Sequence, residues 1–167
     1  MLHGGSEHES YHSYWMEQAL EWARLGGEAG EIPVGAVIVD EQENVLAQSN
    51  NRKERDGDPL AHAEILAIHQ ATRRLQCRYL LNCRLYVTLE PCPMCTGAIL
   101  LARLGMVIYG ASDSKTGAMG SVLDIPHSPA AFHRLQVIKG VKERECRELL
   151  QSWFRSLRQA KKQGQAE

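Results

Sequence analysis

Nothing in the 167-residue chain approaches the ~20 consecutive apolar residues that a membrane-spanning helix needs. The first ten residues, Met1 to Ser10, are polar and lack the apolar centre of a secretory signal, so a cytoplasmic protein with no membrane partner is expected. Net charge is nearly absent: 19 Lys and Arg stand against 20 Asp and Glu, a balance that on its face argues against a nucleic-acid partner. There is no internal repeat, no low-complexity tract and no interdomain linker. One domain is therefore expected over residues 13–160, with a disordered tail at 1–12 and a second tail at 161–167. Cysteines are few, at 77, 83, 92, 95 and 146, and reduced thiols in a cytosolic setting are expected. A single Cys-x-x-Cys is present and a second is missing, which weakens a structural zinc knuckle as the explanation.

The average charge conceals an asymmetry. Between Lys139 and Lys162 there are eight Lys or Arg against three Glu. Such a run is more often a solvated helix face than a phosphate-contacting surface, and charge by itself leaves both readings open.

Apolar periodicity orders the chain. Tyr14 to Ala29 has the spacing of a helix, closed by Gly26, Gly27 and Gly30. Pro33 to Asp40 is a continuous β-branched run that predicts a buried strand, and Val45 to Ser49 predicts a second, joined to it as a hairpin. Asn50 to Pro59 reads as a loop. A helix is expected over Ala61–Leu75, a strand over Arg84–Leu89, a helix from about Met94 to Leu104, a strand over Met106–Tyr109 and a short strand over Gln136–Lys139. The last element is an amphipathic helix, Glu143 to Lys162, with Leu149, Leu150, Trp153 and Leu157 on the side expected to face the sheet. Strands alternating with helices after a hairpin predict an α/β fold, a three-layer α/β/α sandwich around a mixed sheet.

Two segments carry chemistry. His62-Ala63-Glu64 and Pro91-Cys92-Pro93-Met94-Cys95 offer one imidazole, two thiolates and a carboxylate that need not be a ligand. Closed structural zinc sites use four protein ligands, whereas catalytic sites use three and leave a place for water. Both segments open predicted helices, where the partial positive charge of the helix N-terminus favours thiolate over thiol. Taken singly, His62 is more often a capping or core residue, the Cys pair a redox couple, and Glu64 an ordinary first-turn carboxylate. Together they predict zinc held by His62, Cys92 and Cys95, with Glu64 facing the pocket as a proton shuttle. H-x-E…P-C-x-x-C is the signature of the zinc deaminases.

The match extends further. Glu31-Ile32-Pro33-Val34-Gly35-Ala36-Val37, Ala61-His62-Ala63-Glu64-Ile65, Tyr86-Val87-Thr88-Leu89-Glu90-Pro91-Cys92-Pro93-Met94-Cys95 and the loop from Gly110 to Ser121 resemble the bacterial tRNA-specific adenosine deaminases, within the cytidine deaminase superfamily. The segment Asp113-Ser114-Lys115-Thr116-Gly117-Ala118-Met119-Gly120-Ser121 is the part most specific to the tRNA enzymes. The resemblance implies a cytidine-deaminase-like fold, a zinc ion, a homodimer formed partly through the helix at Thr96–Ala102, and conversion of adenosine to inosine in a tRNA anticodon stem-loop. It implies Asn51 as a contact to the flipped base. Asp113 and Lys115 are implied as loop contacts to RNA, and Phe154 and Arg155 as substrate-side residues of the last helix.

Two other functions fit part of the pattern. The same chemistry on a free base or nucleoside, such as guanine or cytosine, would not need the Asp113–Ser121 loop or the basic last helix. A silent zinc-stabilised RNA-binding module would have little use for Glu64.

Overall fold

The computed structural model describes residues 4–164, with side chains over 10–163. Five strands form one sheet in the order β2-β1-β3-β4-β5. These are β1 (Gly35–Val39), β2 (Val45–Asn50), β3 (Arg84–Leu89), β4 (Met106–Ala111) and β5 (Gln136–Lys139). β1 runs antiparallel to both β2 and β3, and β3, β4 and β5 are parallel. The sheet is therefore mixed, as expected.

The pleat sends alternate side chains to opposite faces. Ala36, Ile38, Leu85, Val87 and Val107 bury one face under α3 (Ala63–Leu75) and α4 (Pro93–Leu101). Val37, Val39, Tyr86 and Ile108 bury the other under α1 (Gly4–Glu28) and α5 (Glu143–Gly164). Buried on both sides, these strands read as apolar runs rather than alternating ones. α1 and β1 approach closely: a Cβ on Gly35 would collide with the backbone of Ala19 and Ala23, so only glycine fits there.

Several boundaries differ from expectation for local reasons. α1 begins at Gly4, not Tyr14, so part of the expected tail is helical; residues 1–3 and 165–167 lie outside the described residues. Tyr11 and His12 are held by β3: the Arg84 guanidinium donates to the Tyr11 hydroxyl (2.7 Å), and His12 Nδ1 meets the Tyr86 hydroxyl at 3.0 Å. α4 stops at Leu101, earlier than Leu104, because Arg103 turns left-handed (φ 50°) and sends the chain into β4. The expected loop after β2 contains a single helical turn, α2 (Lys53–Asp56). On α5, Leu149 and Leu150 pack against the core as expected, but Leu157 does not: it is 37% exposed.

Candidate metal centre

The topology brings four connections to one edge of the sheet. The C-terminal ends of the parallel pair β3 and β4 lie there, and antiparallel pairing adds the N-terminal end of β1 and the C-terminal end of β2. The segments preceding β1 and following β2, β3 and β4 therefore share one rim, the place where open α/β sheets bind ligands.

α3 and α4 both start on this rim. His62 is the N-cap of α3 and Cys92 the N-cap of α4, both with extended backbone, and neither side chain caps its own helix. Pro93 suits the first helical position, where no N–H is needed. The cap of α3 comes from elsewhere: the Asn51 side-chain carbonyl accepts the Ala63 N–H at 3.0 Å. That leaves the imidazole free for other work.

His62 Nδ1 lies 3.5 Å from Cys95 Sγ and 3.8 Å from Cys92 Sγ, and all three atoms are within 4.8 Å of one another. Tetrahedral zinc, with Zn–S of about 2.3 Å and Zn–N of about 2.0–2.1 Å, demands N···S edges of about 3.6 Å. The donor set and spacing fit zinc without rearrangement. Glu64, in the first turn of α3, is 4% exposed.

Electrostatics concentrates charge at these residues. Cys92 is held down to about 4, first by its hydrogen bond with the Cys95 thiol and further by His62. Cys95 is pushed up for the complementary reason, since it sits beside the Cys92 sulfur and is buried. His62 is raised, chiefly by its hydrogen bond with Cys92 and also by the charge of Glu64. Burial raises Glu64 above the usual carboxylate range, against the opposing pull of its own backbone N–H and of His62.

The rim holds a cleft of about 390 Å³ lined by Glu31, Ile32, Asn51, Lys53, Phe154 and Leu157, among others. Asn51 and Phe154 thus line the same cleft. Of the Asn51 amide's two hydrogens, one is given to the Ile32 carbonyl (3.1 Å). Phe154 stacks edge-on against Trp153, whose indole N–H donates to the Gly27 carbonyl at 3.2 Å. Arg155 is exposed and does not line the cleft.

Asp113 and Lys115 lie on the loop after β4. The Asp113 carboxylate accepts the backbone N–H groups of Lys115 (2.8 Å) and Thr116 (3.2 Å) and the Thr116 hydroxyl (2.7 Å). Burial would raise this carboxyl, but those hydrogen bonds outweigh it and hold it below its ordinary value. Its visible work is to fold its own loop. Lys115 is exposed.

Two carboxylates that sequence reasoning passed over organise the rim. Glu31, 1% exposed, accepts the N–H groups of Glu54 (3.3 Å) and Arg55 (2.9 Å) and pairs with the Arg55 guanidinium at 3.4 Å, fixing α2. Glu90, 2% exposed, does the same for the loop after β4. A signal existed: Glu90 is the sole charged residue between Arg84 and Arg103, and a lone charge at the end of a buried strand needs partners.

The fold and this His62, Cys92 and Cys95 cluster point to an enzyme class, the zinc-dependent hydrolases. The chain is similar to known proteins over most of its length. Residues 9–111 match the cytidine and deoxycytidylate deaminase zinc-binding region. The tRNA-specific adenosine deaminase of Haemophilus influenzae is 45% identical over 147 residues, covering 88% of this chain and 85% of the relative. That of Aquifex aeolicus is 46% identical over 145 residues, covering 87% and 95%. A solved tRNA:A34 deaminase structure, from work on A-to-I editing at the wobble position of transfer RNA, superposes with a TM-score of 0.79 at 43% identity, covering 81% of this chain and 98% of the other. The chain belongs to the cytidine and deoxycytidylate deaminase family, and within it to the tRNA-specific adenosine deaminases.

Proposed function

We propose that this protein hydrolyses adenosine to inosine at the wobble position of a tRNA anticodon, with zinc on His62, Cys92 and Cys95 and Glu64 as proton shuttle. The observation that carries the reading is the buried Glu64 carboxyl on the same helix start as His62, beside a Cys pair at zinc-edge spacing, in a chain 45% identical to a tRNA-specific adenosine deaminase. When bound, zinc supplies a Lewis acid that lowers the pKa of water to about 7.

The residues do the rest. Glu64 accepts a proton from the attacking water and delivers it to adenine N1 as the new C6–O bond forms. It then moves a second proton to the exocyclic nitrogen, the C6–N bond breaks, and ammonia leaves. Asn51 presents its remaining amide hydrogen to the ring and so orients it. Phe154 offers an aromatic face on the cleft wall, and Lys53 and Lys161 bring positive charge to the same cleft. The target base must leave the loop stack to reach the buried centre, which suits a single-stranded anticodon loop better than a duplex. Asp113, Lys115 and Arg155 meet RNA outside the base pocket.

The same reading includes a homodimer packed through α4. Leu101 on α4 is 67% exposed, and outside the local helix backbone no atom lies within 4 Å of where a Gly97 Cβ would stand, which supports a face with apolar surface and room for close approach. No helix among the described residues is long and apolar enough to cross a membrane, and a cytoplasmic setting fits a tRNA substrate. Incubation with total tRNA and mapping of new inosines tests the activity. Inosine at wobble adenosines is the expected result; turnover of free guanine or adenosine at rates matching an anticodon stem-loop would overturn it.

A further inference from the structure

Glu90 lies between β3 and the Cys92 segment, and its carboxylate is saturated by one loop. Oε1 accepts the N–H of Met119 (3.0 Å) and of Ser121 (3.1 Å). Oε2 accepts the N–H of Asp113 (3.0 Å) and the Ser121 hydroxyl. An ionised carboxylate is acceptor-only, with about four lone-pair sites. Four donors, three of them backbone, meet it here. The loop closes on Glu90 so tightly that a Cβ on Gly117 would overlap the carboxylate. A further bond fastens the same loop to the metal-side segment: Ala118 N–H donates to the Pro91 carbonyl at 2.9 Å.

We infer that Glu90 is a positioning residue for RNA binding: its carboxylate templates the 113–121 loop and fixes Asp113 and Lys115 at a set place relative to the Cys92 end of α4. This rests on the proposed function. The physical ground is that an exposed loop carrying RNA contacts must otherwise be ordered at the moment of binding. Each residue so fixed gives up backbone conformational entropy. Glu90 meets that cost during folding. Its charge is surrounded by the loop's own amides rather than turned toward the metal, so its effect falls on grip and not on the chemical step. Uniform binding lost in this way raises KM and leaves kcat.

The test uses Glu90→Gln. The amide is isosteric, but in either orientation its NH2 faces at least one backbone N–H. Hydrogen exchange on the free protein should show the amides of Asp113, Met119 and Ser121 losing protection, with zinc content unchanged. KM for an anticodon stem-loop should rise at least about tenfold and kcat stay within about threefold. Glu90→Asp, which keeps the charge on a shorter arm, should recover part of the loss. Gly117→Ala and Ser121→Ala disturb the same cradle from the loop side and should reproduce the KM effect, which keeps the test available if Glu90→Gln fails to fold. Deprotected loop amides with an unchanged KM would overturn the inference, as would a fall in kcat that tracks zinc loss. Failure of the functional reading looks different: the wild-type protein itself would not deaminate the stem-loop.

Discussion

Single side chains at the rim do separable jobs. Glu64→Gln keeps size and polarity but cannot carry a proton, so activity on tRNA should fall about 10²–10⁴-fold with zinc and fold retained. A variant within a few-fold of wild type would remove Glu64 from the shuttle role. Metal analysis of purified protein should give close to one zinc per chain, and a Cys92→Ala, Cys95→Ala double variant should lose it; zinc at full occupancy in that variant would sink the ligand assignment. The cap that Asn51 makes and the base contact proposed for it are roles that substitution can part. Its carbonyl caps α3, its amide donates to the Ile32 carbonyl, and the residue lines the cleft. Asn51→Ala should cost about 0.5–2 kcal/mol of stability, the usual worth of a lost N-cap. Asn51→Asp retains the cap but sets an oxygen against the Ile32 carbonyl, so it should recover only part of the stability and none of the activity, as read by urea denaturation beside turnover.

Elements show how the charge asymmetry is distributed. In the first half of α5 and just before it, basic residues are matched: Lys142 with Glu17 on α1, Arg144 with Glu148, and Arg147 with Glu143. Arg155, Arg158, Lys161 and Lys162 in the second half make no ion pair among the described residues. Positive potential is therefore concentrated at the end of α5 that borders the cleft. Removing one phosphate-binding cation should lower the salt slope of RNA affinity by about 0.7 on single strands. Lys161→Ala should show this effect more strongly than Arg155→Ala, because Lys161 lines the cleft and Arg155 does not. Affinity against salt for each variant checks it, and equal, unchanged slopes would return the helix end to a solvated face. α2 depends on one buried acid in the same way. Glu31→Gln leaves a donor against the N–H groups of Glu54 and Arg55 and should destabilise by about 1–3 kcal/mol.

At the scale of the whole molecule, the exposed Leu101 of α4 bears on assembly. Leu101→Asp places a charge on the surface proposed to be shared by two copies. Size-exclusion chromatography with light scattering should show wild type as a dimer and the variant shifted toward monomer; an unchanged mass would move the interface elsewhere.

Much of this was legible in residue order, because the informative interactions are local. β3 and β5 appear where their apolar runs begin and end, and the α/β alternation predicts the three layers, since buried strands and amphipathic helices announce themselves over a few residues. The His62, Glu64, Cys92 and Cys95 set was legible too, because metal chemistry restricts both residue type and spacing. The tertiary structure decided what depends on distant partners. Tyr11 and His12 of α1 are held by Arg84 and Tyr86 of β3. Asn51 becomes a helix cap because β2 ends beside α3. Leu157 leaves the expected apolar stripe because the cleft wall, not the sheet, lies opposite it. Glu31 and Glu90 look like ordinary acids in the sequence; they become the anchors of the rim because a buried carboxylate must collect donors, and those donors come from residues 23 to 31 positions further along the chain.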